Sequence, residues 1–70
     1  MNEELYLMLK TSAEADYAKG RLTLKLLGEK ETGIGGHSAE DFYTDAEKAL
    51  ALMKDAKDKL EMLKDIKDGV

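Results

Sequence analysis

The chain of 70 residues contains no cysteine, no proline and no tryptophan. Without cysteine there can be no disulfide and no thiolate metal site, and the single histidine, His37, argues against a histidine-rich zinc site. Because so short a chain buries only a marginal core, self-association is the remaining means of stabilisation. We therefore expect a homo-oligomer with no metal and no cofactor.

The chain also lacks a strong charge bias and a long apolar run. Its 11 basic and 15 acidic residues are interleaved and give a net charge of −4, which disfavours nucleic-acid binding. No apolar run approaches the roughly 20 residues that a bilayer span needs. The opening Met-Asn-Glu-Glu has the wrong sign for a secretion signal. These features predict one domain over residues 1–70, cytoplasmic and without a membrane partner.

Good helix formers dominate the first third of the chain. Asn2 is a suitable helix cap, and Glu3 and Glu4 complement the positive end of a helix dipole. Gly28 stands where a helix stop is expected, so we predict a first helix over 3–27. Apolar or small residues alternate steps of three and four along it, and this inner seam consists of Tyr6, Leu9, Ala13, Tyr17, Gly20, Leu24 and Leu27.

A second helix is predicted over 39–68, ended by Gly69. Ser38 fits a capping box, and starting there keeps a second heptad seam in register. A start at Thr44 is the alternative, since Thr44 to Glu47 fits a capping box too. The inner seam of this helix consists of Phe42, Ala46, Ala49, Met53, Ala56, Leu60 and Leu63.

Two helices joined by a glycine-rich loop over 28–38 predict an all-α, antiparallel hairpin. Pairing the two seams gives a register in which facing residue numbers sum to about 69, and this register sets Gly20 against Ala49. A glycine there lets the two backbones approach closely, which explains its place in mid-helix. The alternative is that Gly20 breaks or kinks the first helix.

The first helix is too apolar for a single partner helix. It carries a second apolar stripe, rotated from the inner seam by about 100° as neighbouring residues are, and extended apolar surface of this kind marks association. By contrast, opposite charges four residues apart predict a solvated outer face for the second helix. We expect hairpins to pair into a four-helix bundle, with a trimer or larger ring as the alternative. The architecture resembles Rop-type hairpin dimers in topology alone. The predicted oligomer interface comprises Leu5, Met8, Ala15, Leu22 and Leu26.

The loop is a candidate anion site because its glycines free backbone amides near a helix N-terminus. Copies of these residues could meet in an oligomer and hold a phosphorylated ligand, although acidic neighbours oppose an anion and a simple turn is the favoured interpretation for a lone chain. No nucleophile and base are paired as catalysis requires, so we expect no enzyme. The candidate ligand-binding residues are Arg21, Lys25, Gly33, Gly35, Gly36, His37, Ser38 and Tyr43.

Three functions are compatible with this pattern. The leading hypothesis is a non-enzymatic interaction or inhibitory module that engages a protein partner. The rival is an oligomeric sponge that sequesters a nucleotide or cyclic nucleotide, and the third is a Rop-like RNA-binding hairpin dimer. A stand-alone chain of this size beginning at methionine fits an accessory protein of a phage or mobile element.

Overall fold

The computed structural model describes residues 1–29 and 39–69, which form an antiparallel hairpin of two long helices. Helix α1 covers Glu3–Glu29 and helix α2 covers Ala39–Lys67. The described residues contain no strand, and the all-α hairpin predicted from the seams is confirmed. The two helices pack along their whole length in a rod of 50 × 17 × 14 Å.

Helix α1 begins as its sequence predicts. The Leu5 amide donates to Asn2 Oδ1 over 3.1 Å, and the Tyr6 amide donates to the Asn2 carbonyl over 2.9 Å. Asn2 is therefore the cap that satisfies one of the free amides of the first turn.

The predicted end of α1 lies two residues before the end in the structure. The helix continues through Gly28 to Glu29 instead of stopping at Leu27. Glycine is compatible with helical dihedral angles, and Gly28 does not adopt the positive φ of a helix stop. Residues 28 and 29 of the predicted connection over 28–38 therefore belong to α1.

The bounds of α2 decide between the two predicted starts. The helix already includes Ala39 and runs through Thr44, so a start at Thr44 is wrong. Ser38, the proposed cap, lies outside the described residues. At the other end Gly69 has a φ of 93° and its amide donates to the Ile66 carbonyl over 3.2 Å. Gly69 ends α2 as predicted, because glycine adopts left-handed dihedral angles without a steric penalty.

The core between the helices is made of small side chains. Among the described residues, the buried hydrophobic ones are Ala13 of α1 and Ala49, Ala56 and Leu63 of α2, and Gly20 is buried beside them. All five belong to the predicted inner seams. Because alanine has so little side chain to bury, and a buried CH₂ is worth only about 0.8 kcal/mol, this core gives the hairpin limited hydrophobic stabilisation.

Gly20 lies where the two helices approach closely. A Cβ at this position would lie 2.7 Å from the Ala49 carbonyl oxygen and 2.6 Å from Met53 Cγ. The helix runs unbroken through this residue, so the alternative of a break at Gly20 is wrong. The predicted opposition of Gly20 and Ala49 is confirmed, and it sets the register of the hairpin.

Candidate functional site

The most extensive exposed apolar feature of α1 lies outside the inner seam. Leu5 is 45% exposed, Met8 58%, Leu22 56% and Leu26 53%, and Ala15 is exposed between them. We call these five residues the α1 stripe. They are the residues in which the sequence predicts an oligomer interface, and α2 leaves them uncovered.

The stripe is exposed because α2 covers only one side of α1. Successive residues of an α-helix are rotated by about 100°, so Leu5 and Leu22 cannot face α2 while the inner seam does. Ala13 and Gly20 are the buried residues of α1, and the small size of these two seam residues brings the backbones together. The four large side chains of the α1 stripe are therefore about half exposed in a single hairpin.

Helix α2 adds two apolar residues that sequence reasoning missed. Met62 is 63% exposed and Ile66 is 42% exposed. Lys48 and Leu52 of α2 line a groove together with Lys19 of α1, which places this side of α2 next to the Lys19 side of α1. Met62 and Ile66 follow Lys48 and Leu52 by fourteen residues, about four helical turns, and share their side of the helix. This spacing is the feature of the sequence from which the position of Met62 and Ile66 could be predicted.

The predicted solvated face of α2 is present, with one addition. Lys54 Nζ bonds Asp58 Oδ2 over 2.8 Å and Lys59 Nζ bonds Asp55 Oδ2 over 2.9 Å, two of the expected i,i+4 pairs. The hydrogen bond from each lysine to its aspartate, and then the charge of that aspartate, raise the lysine pKa above 10.5. Leu50, at 59% exposure, interrupts this otherwise charged surface.

The structure describes three of the eight candidate ligand-binding residues. Arg21 and Lys25 are exposed and line a shallow concavity of about 500 Å³ together with Tyr17, Ala18 and Leu22. The structure thus brings the two predicted cations together on one side of α1, beside an aromatic ring.

The remaining ligand candidates are not joined to that concavity. Tyr43 is 65% exposed on α2 and packs edge-on against Phe42, with ring centroids 6.3 Å apart. It does not line the concavity beside Arg21. Five predicted residues lie outside the described part of the chain: Gly33, Gly35, Gly36, His37 and Ser38.

A second groove lies at the opposite end of the hairpin, where the termini of the two helices meet. It measures about 300 Å³, and the ammonium of Lys67 sits over the Tyr6 ring at 5.0 Å from its centroid. Leu7, Lys10 and Ile66 also line it. The cation–π contact connects the first turn of α1 to the last turn of α2 and holds this end of the hairpin together.

Within residues 1–29 and 39–69, the acidic side chains form no group of three that could hold a metal ion. Neither α1 nor α2 is long and apolar enough to cross a membrane.

The chain matches no protein-family model, no curated protein and no solved structure.

Proposed function

We propose that this protein is a non-enzymatic, cytoplasmic binding module that works as a homo-oligomer of hairpins, a dimer in the first place. In this proposal the α1 stripe is the interface, and the assembled four-helix bundle presents its outer surface to a protein partner as an interaction or inhibitory module. The observation that carries the proposal is the 45–58% exposure of Leu5, Met8, Leu22 and Leu26 along one side of a single helix.

The energetic support comes from comparing what a lone hairpin buries with what it exposes. Among the described residues, the buried hydrophobic side chains are three alanines and Leu63, whereas the α1 stripe holds three leucines and a methionine that are 45–58% exposed. Burying apolar surface contributes roughly 25 cal/mol per Å², so covering the stripe adds stabilisation that a single hairpin lacks. A second copy brings an identical apolar surface, as a two-fold interface requires.

The surface left for a partner is on α2. Tyr43 and Leu50 are 65% and 59% exposed, and the ion pairs of Lys54 and Lys59 surround the latter part of the helix with solvated charge. An exposed aromatic and an aliphatic side chain among charges are typical components of a protein-binding surface. These residues stay accessible when the α1 stripe is covered.

The test is the mass in solution of Leu22→Glu, with Leu50→Glu as the matched control. Both substitutions place a carboxylate at an exposed leucine, at 56% and 59% exposure respectively. We expect sedimentation equilibrium to give a dimer for the wild type and Leu50→Glu and to give weaker association for Leu22→Glu. An unchanged dimer in Leu22→Glu, or a monomeric wild type, contradicts the proposal.

One observation favours a second candidate function, ligand sequestration. Arg21 and Lys25 share a concavity with the Tyr17 ring, so two cations and an aromatic surface are available to a phosphorylated, base-bearing ligand. In this alternative the protein is a sponge for nucleotides or cyclic nucleotides. The net charge of −4 gives the Rop-like RNA-binding alternative no comparable support.

Thermal shift against a panel of nucleotides and cyclic nucleotides tests this alternative. A ligand at a hundredfold excess over Kd stabilises the folded protein by about 2.7 kcal/mol. The stabilisation should disappear in Arg21→Ala/Lys25→Ala and persist in Lys57→Ala/Lys64→Ala, which removes two cations of α2. No shift with any compound, or an equal shift in both double variants, contradicts ligand sequestration at this site.

A further inference from the structure

The side of α1 that carries the α1 stripe has a residue pattern that is the same in both chain directions. Leucine and methionine side chains occupy its two ends, and small or polar residues occupy its middle. In chain order the positions along this side of α1 are Leu5, Met8, Ser12, Ala15, Lys19, Leu22 and Leu26, and all of them are exposed. A surface of this kind is self-complementary when a second copy is turned end for end about an axis through its centre.

We propose that two hairpins pair through α1 in antiparallel orientation, with the two-fold axis passing near Ala15. This inference rests on the proposed self-association and adds its geometry. Leu5 and Met8 then pack against the partner's Leu26 and the partner's Leu22. The small side chain at the axis lets the two α1 helices approach closely.

The charge of Lys19 favours the antiparallel arrangement over the parallel one. In a parallel pair, Lys19 directly faces the partner's Lys19 between two apolar layers, and like charges repel there. In the antiparallel pair the two ammonium groups are roughly 12 Å apart along the helix axis, beyond the Debye length of about 8–10 Å.

The antiparallel arrangement also gives Lys19 a neutral neighbour. It faces the partner's Ser12, whose hydroxyl oxygen can accept a hydrogen bond from the ammonium. The polar positions of one copy thus meet the polar positions of the other, and the apolar positions meet apolar ones. The same match forms twice in the dimer because the axis is two-fold.

The size of the face agrees with a stable dimer. The hairpin is 50 Å long and 17 Å wide, so a face to which both α1 and α2 contribute is comparable in area to the roughly 800 Å² that each partner buries in an interface of standard size. At the end of the hairpin where the termini lie, Met62 and Ile66 add exposed apolar surface on α2. In the antiparallel dimer these two residues lie towards the partner's Leu22 and the partner's Leu26.

The arrangement has a consequence for the candidate ligand site. An antiparallel dimer places the two connections between α1 and α2 at opposite ends of the bundle. The two copies of the Arg21 and Lys25 concavity are then separate, and each must bind on its own. A parallel dimer would bring them to one end.

Spin-label distances along α1 test the geometry. The sequence contains no cysteine, so single cysteine substitutions can be labelled without background at four exposed positions seven residues apart: Glu4, Thr11, Ala18 and Lys25. In the antiparallel dimer the axial offset between the two labels is roughly 10 Å for the inner two positions and roughly 30 Å for the outer two. The distances should therefore be short in the middle of α1 and long at both ends.

Two outcomes overturn the inference, and they differ from each other. Equal distances at all four positions show a parallel dimer, which refutes the antiparallel geometry and leaves the proposed self-association standing. No dipolar coupling, together with a monomeric mass, refutes both.

The variant Lys19→Glu is a second test of whether the two α1 helices pair in antiparallel or in parallel orientation. In the antiparallel dimer the new carboxylate would again face the partner's Ser12, whereas in the parallel dimer the two new carboxylates would face each other and repel. We expect the dimer of this variant to persist at low salt. Dissociation at low salt that is reversed at high salt would overturn the inference, because salt screens the repulsion between like charges.

Discussion

The close approach at Gly20 makes a prediction about two glycines of the same helix. Gly20→Ala adds a methyl group 2.7 Å from the Ala49 carbonyl oxygen and 2.6 Å from Met53 Cγ, and the carbonyl belongs to a helix that cannot yield locally. In Gly28→Ala the methyl group meets nothing within 4 Å. Both glycines are helical, so helix propensity favours alanine over glycine at both positions. The two substitutions differ in the space that the added methyl group meets.

The magnitudes give the two variants opposite signs. Replacing a helical glycine by alanine gains up to about 1 kcal/mol, whereas overpacking a close contact costs typically 1–3 kcal/mol. The difference is a net loss of up to about 2 kcal/mol in Gly20→Ala. At Gly28 only the gain applies, and we expect about 0.4–1 kcal/mol of stabilisation.

Urea unfolding followed by circular dichroism measures both effects at one protein concentration. Gly20→Ala should lower the free energy of unfolding and Gly28→Ala should raise it, with similar denaturant dependence for all three proteins. Equal stabilisation by the two substitutions would refute the close contact between α1 and α2 at Gly20.

Three other contacts give predictions of their own. Asn2→Ala should lower the free energy of unfolding by about 0.5–2 kcal/mol, while Asn2→Ser, which keeps a capping oxygen, should change it little; equal losses would contradict the cap. A double-mutant cycle of Tyr6→Leu and Lys67→Met should give a coupling of about 0.5–1 kcal/mol, and none would contradict the cation–π contact. Asp55→Asn should lower the pKa of Lys59 towards 10.5, measured by NMR, because Asp55 is the main cause of its rise. Since folding raises this pKa, the pair's contribution is complete below pH 10.5 and is lost as the pH passes the raised value.

The inner seams could be predicted from the sequence because burial follows heptad spacing. All five buried seam residues lie on the predicted positions, and Gly20 was recognised by its unbroken phase with them. The caps at Asn2 and Gly69 follow from local hydrogen bonding and from φ preference, which depend on neighbouring residues alone.

The exposed surface could be predicted only in part. The exposure of Met62 and Ile66 depends on the rotation of α2 about its axis where it packs against Gly20, and helical periodicity alone does not give that rotation. Charged residues lie between Met62 and Ile66 in the sequence. The sequence alone therefore does not distinguish this short apolar segment from the solvated face of α2. Of the candidate ligand site, the sequence could indicate the cations Arg21 and Lys25, whereas their shared concavity with Tyr17 is a property of the folded helix.

The mass of the wild-type protein in solution tests the central claim most directly. Sedimentation equilibrium at micromolar concentration should give twice the 7.8 kDa of one chain, because a second copy covers Leu5, Met8, Leu22 and Leu26. A mass of 7.8 kDa under the same conditions, from a protein with the full helix content of the hairpin, would contradict it.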